Sequence, residues 1–317
     1  VSVGTRLFFS TESSPEGKLW VTDGTAAGTQ PIPIATSVPF QLRAFGEQVV
    51  FWANDEERGT ELWHSDGTLA GTLRVADLVP GPNGNTPADM LALGDSLYFI
   101  TQSSAATNAL WRSDGTEAGT ILVRDLPNGS LPWSSGLVAL GAQVLFIFQN
   151  AGGSDLWRSD GTTLGTQPLL IQEPTGHDSS PTGLIATTDA LYFTADSADQ
   201  THGLWRSDGT AAGTTRRADT FVAYGPSLAS AGSRVFYVRY GASGRELWAT
   251  DTAFGSATAL VALDDGSSSI SDNELTAVGD RLFFLREQAP SQHSLWVTDG
   301  TPTGTRMVYD LSLIHIS

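Results

Sequence analysis

The residues best suited to chemistry fall in two groups: aspartates set in near-identical short turns, and a run of arginines, tyrosines and histidines late in the chain. Asp23, Asp66, Asp114, Asp160, Asp208 and Asp299 each open an Asp-Gly-Thr tripeptide, and Asp251 holds the same place in a degenerate copy. A carboxylate there can accept backbone N–H bonds within its own turn, while Gly supplies a positive φ and Thr hydroxyls close the loop. The sharper chemistry is calcium binding, which takes about six to eight oxygens. One Asp with nearby Thr hydroxyls and carbonyls would contribute, but the dense carboxylate spacing of a dedicated calcium loop is missing. The turn reading is preferred, and calcium is the one cofactor the motif admits.

The second group lies between positions 177 and 245. Arg206, Arg216, Arg217, Arg234, Arg239 and Arg245 are six of the 17 basic residues of an acidic chain, with Tyr224, Tyr237 and Tyr240 among them. Guanidinium forks beside aromatic rings suit a carboxylated or sulfated sugar. The plainer reading is a set of solvated side chains, with Arg206 repeating Arg112 and Arg158. His177 and His202 fall in variable segments and would line a pocket with Arg216, Arg217, Arg239, Tyr240 and Arg245, the candidate ligand-binding set. His64, His293 and His315 complete the histidines, and the five share no spacing typical of a metal site or a triad. No nucleophile-elbow, zinc-protease, phosphate-loop or dinucleotide motif is present, so no catalytic residue is assigned.

What positions these residues is a repeat. Leu-Trp pairs end at Trp20, Trp63, Trp111, Trp157, Trp205, Trp248 and Trp296, an average spacing of 46 residues; six of them lead into an Asp-Gly-Thr segment and the pair at Trp248 into its degenerate copy. Apolar runs such as LYFI at 97–100 precede the pair, runs such as ILVRDL at 121–126 follow the turn, and runs such as LVALG at 137–141 close the unit. Four β-type runs per unit, bounded by Gly, Asp or Pro, are the pattern of a propeller blade. One blade cannot bury both its faces, whereas a ring of blades stacks face to face. The expected fold is all-β, a seven-bladed β-propeller of four-stranded antiparallel blades spanning 1–317 as one domain. Residues 313–317 lie outside the repeat, as a closing strand or an appended tail. Named D, A, B and C from Val1, the runs place the D–A and B–C turns on one face and the longer, more varied loops on the other. Whether 1–4 opens the first blade or completes the last is undecided by the pattern. The repeated tryptophans read first as packing between blades and second as stacking platforms for sugars.

The pattern Leu-Trp-x-Ser/Thr-Asp-Gly-Thr-x-x-Gly-Thr resembles the ELWxxDGT repeat family of bacterial proteins, and it runs through essentially the whole chain. Glu61 and Glu246 keep the leading Glu of that motif, while Lys18, Ala109, Asp155, Gly203 and Ser294 replace it elsewhere. The resemblance implies a bacterial propeller that is secreted or displayed at the cell surface, and it brings no single activity with it.

Composition narrows the partners. A net charge of -17 from 17 Lys plus Arg against 34 Asp plus Glu repels phosphate backbones and anionic lipid. Neither nucleic acid nor membrane insertion is expected, and a monomer is. With no cysteine, disulfides and thiolate chemistry are excluded. The function expected from these features is a non-catalytic extracellular binding or adhesion module, lectin-like, with a carbohydrate or protein ligand. The alternatives are a polysaccharide-acting propeller enzyme, with its site between His177 and Arg245, and a structural scaffold within a larger protein.

Overall fold

Runs that alternate apolar residues toward two faces, joined by tight Gly turns, fold back on themselves as antiparallel hairpins. The computed structural model describes the chain except residues 13–17, 35–36, 56, 80–84, 104–107, 128, 131–135, 151–152, 170–179, 198–200, 218–221, 223–227, 242–243, 264–274, 290–291 and 312–317. His177, Tyr224 and 313–317 lie outside the described residues. Among the described residues the elements are β-strands throughout, with no α-helix.

The strands form seven antiparallel sheets, each built from strands consecutive in the chain. These blades span 2–32, 40–74, 85–126, 129–168, 182–216, 228–262 and 276–310. Six have four strands; the fourth blade has five, because Gly129–Ser130 and Val138–Leu140 both pair with Gln143–Asn150. The seven-bladed β-propeller expected from the repeat is the fold. Ser2–Val3 pairs with Arg6–Ser10, so the N-terminal run opens the first blade. The first strands of neighbouring blades approach one another and lie innermost, which leaves the fourth strands at the rim.

The second strand of each blade supplies most of the core, and its two faces serve different neighbours. In the second blade Val49 and Phe51 join Phe8 of the first, while Val50 and Trp52 join Leu97 and Phe99 of the third. The same pairing recurs as Tyr98 with Val144, Leu145 with Leu191, Tyr192 with Val235 and Phe236 with Leu282. Six seams between blades are therefore packed by one rule: an apolar residue on one blade, large at five seams and Val50 at the other, meets an aliphatic residue on the next. Each such side chain taken fully from water contributes about 1.5–3 kcal/mol.

The repeated tryptophans face the cross-strand aromatic of their own blade. Trp20, Trp111, Trp157, Trp205 and Trp296 stack on Phe9, Phe99, Phe146, Phe193 and Phe284, with ring centroids 6.1–6.4 Å apart. The indole N–H groups of Trp20, Trp111, Trp205, Trp248 and Trp296 are hydrogen-bonded, whereas those of Trp63 and Trp157 are buried without a partner.

Candidate functional site

The Asp-Gly-Thr turns close on themselves. In the third blade, Asp114 Oδ1 accepts the Thr116 N–H at 2.9 Å and the Thr116 hydroxyl at 2.7 Å. Gly119 N–H donates to Thr116 Oγ1 at 3.0 Å, and the Thr120 hydroxyl donates to the Thr116 carbonyl at 2.6 Å. Gly115 N–H reaches Ser113 Oγ at 3.0 Å. The same bonds surround Asp23, Asp66, Asp160, Asp208 and Asp299. Two glycines are required for different reasons. Gly115 has φ +92°, and a Cβ on Gly119 would lie 2.0 Å from Asp114 Oδ1. Hydrogen bonds from the Thr side chain, then from its backbone, hold these carboxylates below the usual range.

Within a turn the Thr hydroxyl spends its proton on the Asp, and each turn offers a single carboxylate. Among the described residues no group of three or more His, Asp or Glu side chains gathers as a metal would need. A calcium ion in such a turn would be left with one charged ligand.

The turns are also where one blade grips the next. Arg6 donates to the Asp66 carbonyl, Arg124 to the Thr163 and Thr166 carbonyls, and Arg158 to the Gly209 carbonyl. The degenerate sixth turn receives the most. Tyr192 and Arg206 donate to the Thr252 carbonyl, and Arg217 donates to the Phe254 and Gly255 carbonyls at 3.0 and 2.8 Å. Phe254, at φ +61° without being Gly, packs against the Tyr192 ring. Donors from the fifth blade thus stand in for the missing residue of the motif.

The candidate ligand-binding residues are drawn to the fifth and sixth blades but are not one cluster. Arg217 is committed to the sixth turn. Arg216 bonds Thr201, and His202, buried, shares a 2.9 Å contact with Asp196. Arg239, Tyr240 and Arg245 share one hairpin, Tyr240 directly opposite Arg245. The Arg239 guanidinium lies 4.7 Å over the Trp248 ring, whose indole N–H donates to Glu246 Oε2 at 2.9 Å. Val222 joins the two groups: its N–H donates to the His202 carbonyl, and it bridges to Arg239 on the other side. The loop-side seam between these blades therefore carries His202–Asp196 on one wall and Arg239 with exposed Tyr240 on the other. The arrangement presents cationic and aromatic surface.

One charged residue escaped the sequence reading. Glu61, kept from the motif, is fully buried, accepts the Leu78 N–H at 3.0 Å, and is pushed up to about 7 by burial. The signal available was the retained Glu at 61 and 246, but the two do different things: Glu246 holds an indole instead.

No family model matches the chain, and no curated protein matches it. The resemblance to ELWxxDGT repeats rests on the motif residues alone. Solved structures do match: a prolyl endopeptidase structure (TM-score 0.58, 11% identity, 98% of this chain and 49% of that one) and a puromycin hydrolase structure (TM-score 0.54, 15% identity, 98% and 53%). A puromycin hydrolase mutant complex gives TM-score 0.54 at 16% identity, covering 97% and 52%. The chain spans about half the length of these proteins, and at such identity the likeness establishes the fold.

The expected lectin-like adhesion module is corrected by these findings. The propellers named above belong to a puromycin hydrolase and a prolyl endopeptidase, and no lectin or adhesin is among them. The repeated tryptophans that motivated a sugar surface have a ring face against a cross-strand phenylalanine in five blades. Among the described residues no helix is long and apolar enough to cross a membrane.

Proposed function

We propose that this chain is the propeller part of a larger hydrolase-like protein, a rigid ring that works against a second domain rather than as a free-standing binding module. The observation that carries this reading is the coverage: nearly the whole chain superposes on roughly half of each endopeptidase or hydrolase chain. One of those structures is described in terms of inter-domain dynamics in catalysis and specificity. The physical build suits the part. Six seams packed with fully buried side chains, and turns whose polar groups are bonded internally, give a body that moves as a unit. Motion is then concentrated at its junction with a neighbour.

The test is a pair of assays with prolyl-peptide and aminoacyl-amide substrates. One uses the purified 317-residue chain, the other the intact polypeptide encoded by the reading frame that contains it. The expected result is no turnover by the chain alone and turnover by the intact polypeptide. Turnover by the chain alone, or an intact polypeptide with no second folded domain, would overturn the reading.

A further inference from the structure

The seven blades have six sealed seams. At each, the second-strand aliphatic that faces the preceding blade is fully buried: Val49, Leu97, Val144, Leu191, Val235 and Leu282 are all 0% exposed. Leu7, at the same position of the first blade, is 44% exposed. The seventh blade shows the complementary defect on its other face. Leu285 is 37% exposed where Trp52, Ile100, Ile147, Thr194 and Val238 are buried, and Val278 and Val308 are 59% and 46% exposed. Phe283, counterpart of the fully buried Phe236, is only half-buried.

The turns repeat the asymmetry independently. A Cβ on the turn glycine would meet atoms of the preceding blade at Gly67 (Arg6, Phe8), Gly115 (Phe45), Gly161 (Tyr98, Arg112), Gly209 (Leu140, Gln143) and Gly300 (Arg234). At Gly24, in the first blade, it would meet nothing within 4 Å. At the other end, Arg6 and Arg234 reach forward onto the next blade's turn, and Arg281, at the equivalent place two residues after Gly279, is exposed.

We propose that the seam between the seventh and first blades is a docking site for one further copy of this repeat unit, set against the two uncovered faces of the seven-bladed body. Every such face in the molecule that is covered is covered by a copy of the same unit, and both open faces carry the residues that such a unit engages. The occupant would turn a Leu- or Val-x-Phe second strand toward Phe283 and Leu285, and would offer an Asp-Gly-Thr turn carbonyl to the Arg281 guanidinium. Its opposite face would cover Leu7 and bring a side chain over Gly24. This inference is independent of the function proposed above.

Two experiments test it. First, the chain has no cysteine, so a Leu7→Cys, Phe283→Cys double variant carries a single thiol pair at the positions that meet at every sealed seam. The proposal expects no intramolecular disulfide under mild oxidation; quantitative disulfide formation would mean the ring seals on its own walls, and would overturn it. Second, a copy of residues 85–126 is joined after Asp310 through a linker taken from the natural inter-blade segments. The extended chain is expected to remain monomeric and to melt at least ~5 °C higher, with Leu7 and Leu285 protected from surface labelling once introduced as cysteines. An unchanged melting temperature with both positions still labelled would refute the docking of a repeat there, whatever the disulfide test shows.

Discussion

The seam between the fifth and sixth blades and the seam between the seventh and first are built from the same repeat positions, yet they differ as the inside of a protein differs from its surface. In the former, Tyr192 meets Val235 in a buried cluster, and Arg206, Arg217 and Tyr192 all donate to the turn beyond. In the latter, Phe283 and Leu7 are left partly in water and Arg281 is exposed. Cohesion in this molecule therefore belongs to pairs of blades and not to single blades. A blade by itself is a four-stranded sheet with two apolar faces, and it is stable only as far as its neighbours cover them.

That contrast can be broken by matched truncations. Leu191→Ala, at a sealed seam, is expected to cost about 2–5 kcal/mol in urea unfolding, the sum of lost burial and a cavity. Leu7→Ala, the same change at the open seam, is expected to cost less than about 1 kcal/mol because its site is already half in solvent. Equal losses would remove the distinction.

The next effect is pH-dependent. The folded Glu61 carboxyl titrates near 7 against an ordinary value of 4.5, so the folded state binds its proton more tightly than the unfolded chain. Stability from this group is full below about 4.5, falls as pH rises toward 7, and stays reduced above it, by on the order of 3 kcal/mol. Glu61→Gln should flatten the melting temperature between pH 5 and pH 8, tested by melting both forms across that range. The turn aspartates act with the opposite sign: their depressed values contribute stability that is full above the ordinary carboxylate value and is lost as pH falls from there through the depressed folded values.

Arg217→Ala removes the guanidinium from the Phe254 and Gly255 carbonyls and should cost about 1–2 kcal/mol, whereas Arg281→Ala should leave the melting temperature of this chain unchanged. The comparison sharpens if the eighth repeat is added, for Arg281→Ala should then become costly. The smallest expected effect is that of calcium: a chelator should shift the melting temperature by less than about 1 °C, because each turn carboxylate is already satisfied by its own Thr. A larger downward shift would reassign the turns as metal sites.

The architecture was legible because its signals are local and repeated. Leu-Trp followed by Asp-Gly-Thr marks one turn, and six such marks with one degenerate copy, at a spacing near 46, fix the blade count without any long-range information. The internal bonding of the aspartates was readable for the same reason. The grouping of Arg216, Arg217, Arg239 and Arg245 was not, since density along the chain says nothing of direction: Arg217 reaches forward to a turn while Arg239 lies over Trp248. Glu61 escaped because burial depends on the Leu78 backbone folding over it, whereas Glu246, identical in motif, accepts from the Trp248 indole. The open seam was invisible too, as Leu7 and Leu191 differ in sequence surroundings far less than in what packs on them.

The central claim, that stability resides in covered faces between blades, is tested most directly by native-state hydrogen exchange followed strand by strand. The account predicts that amides of Arg6–Ser10 and Arg306–Asp310 exchange by local opening well before those of Gln143–Asn150 and Leu191–Asp196, whose blades are flanked on both sides. Uniform protection across all seven blades would contradict it.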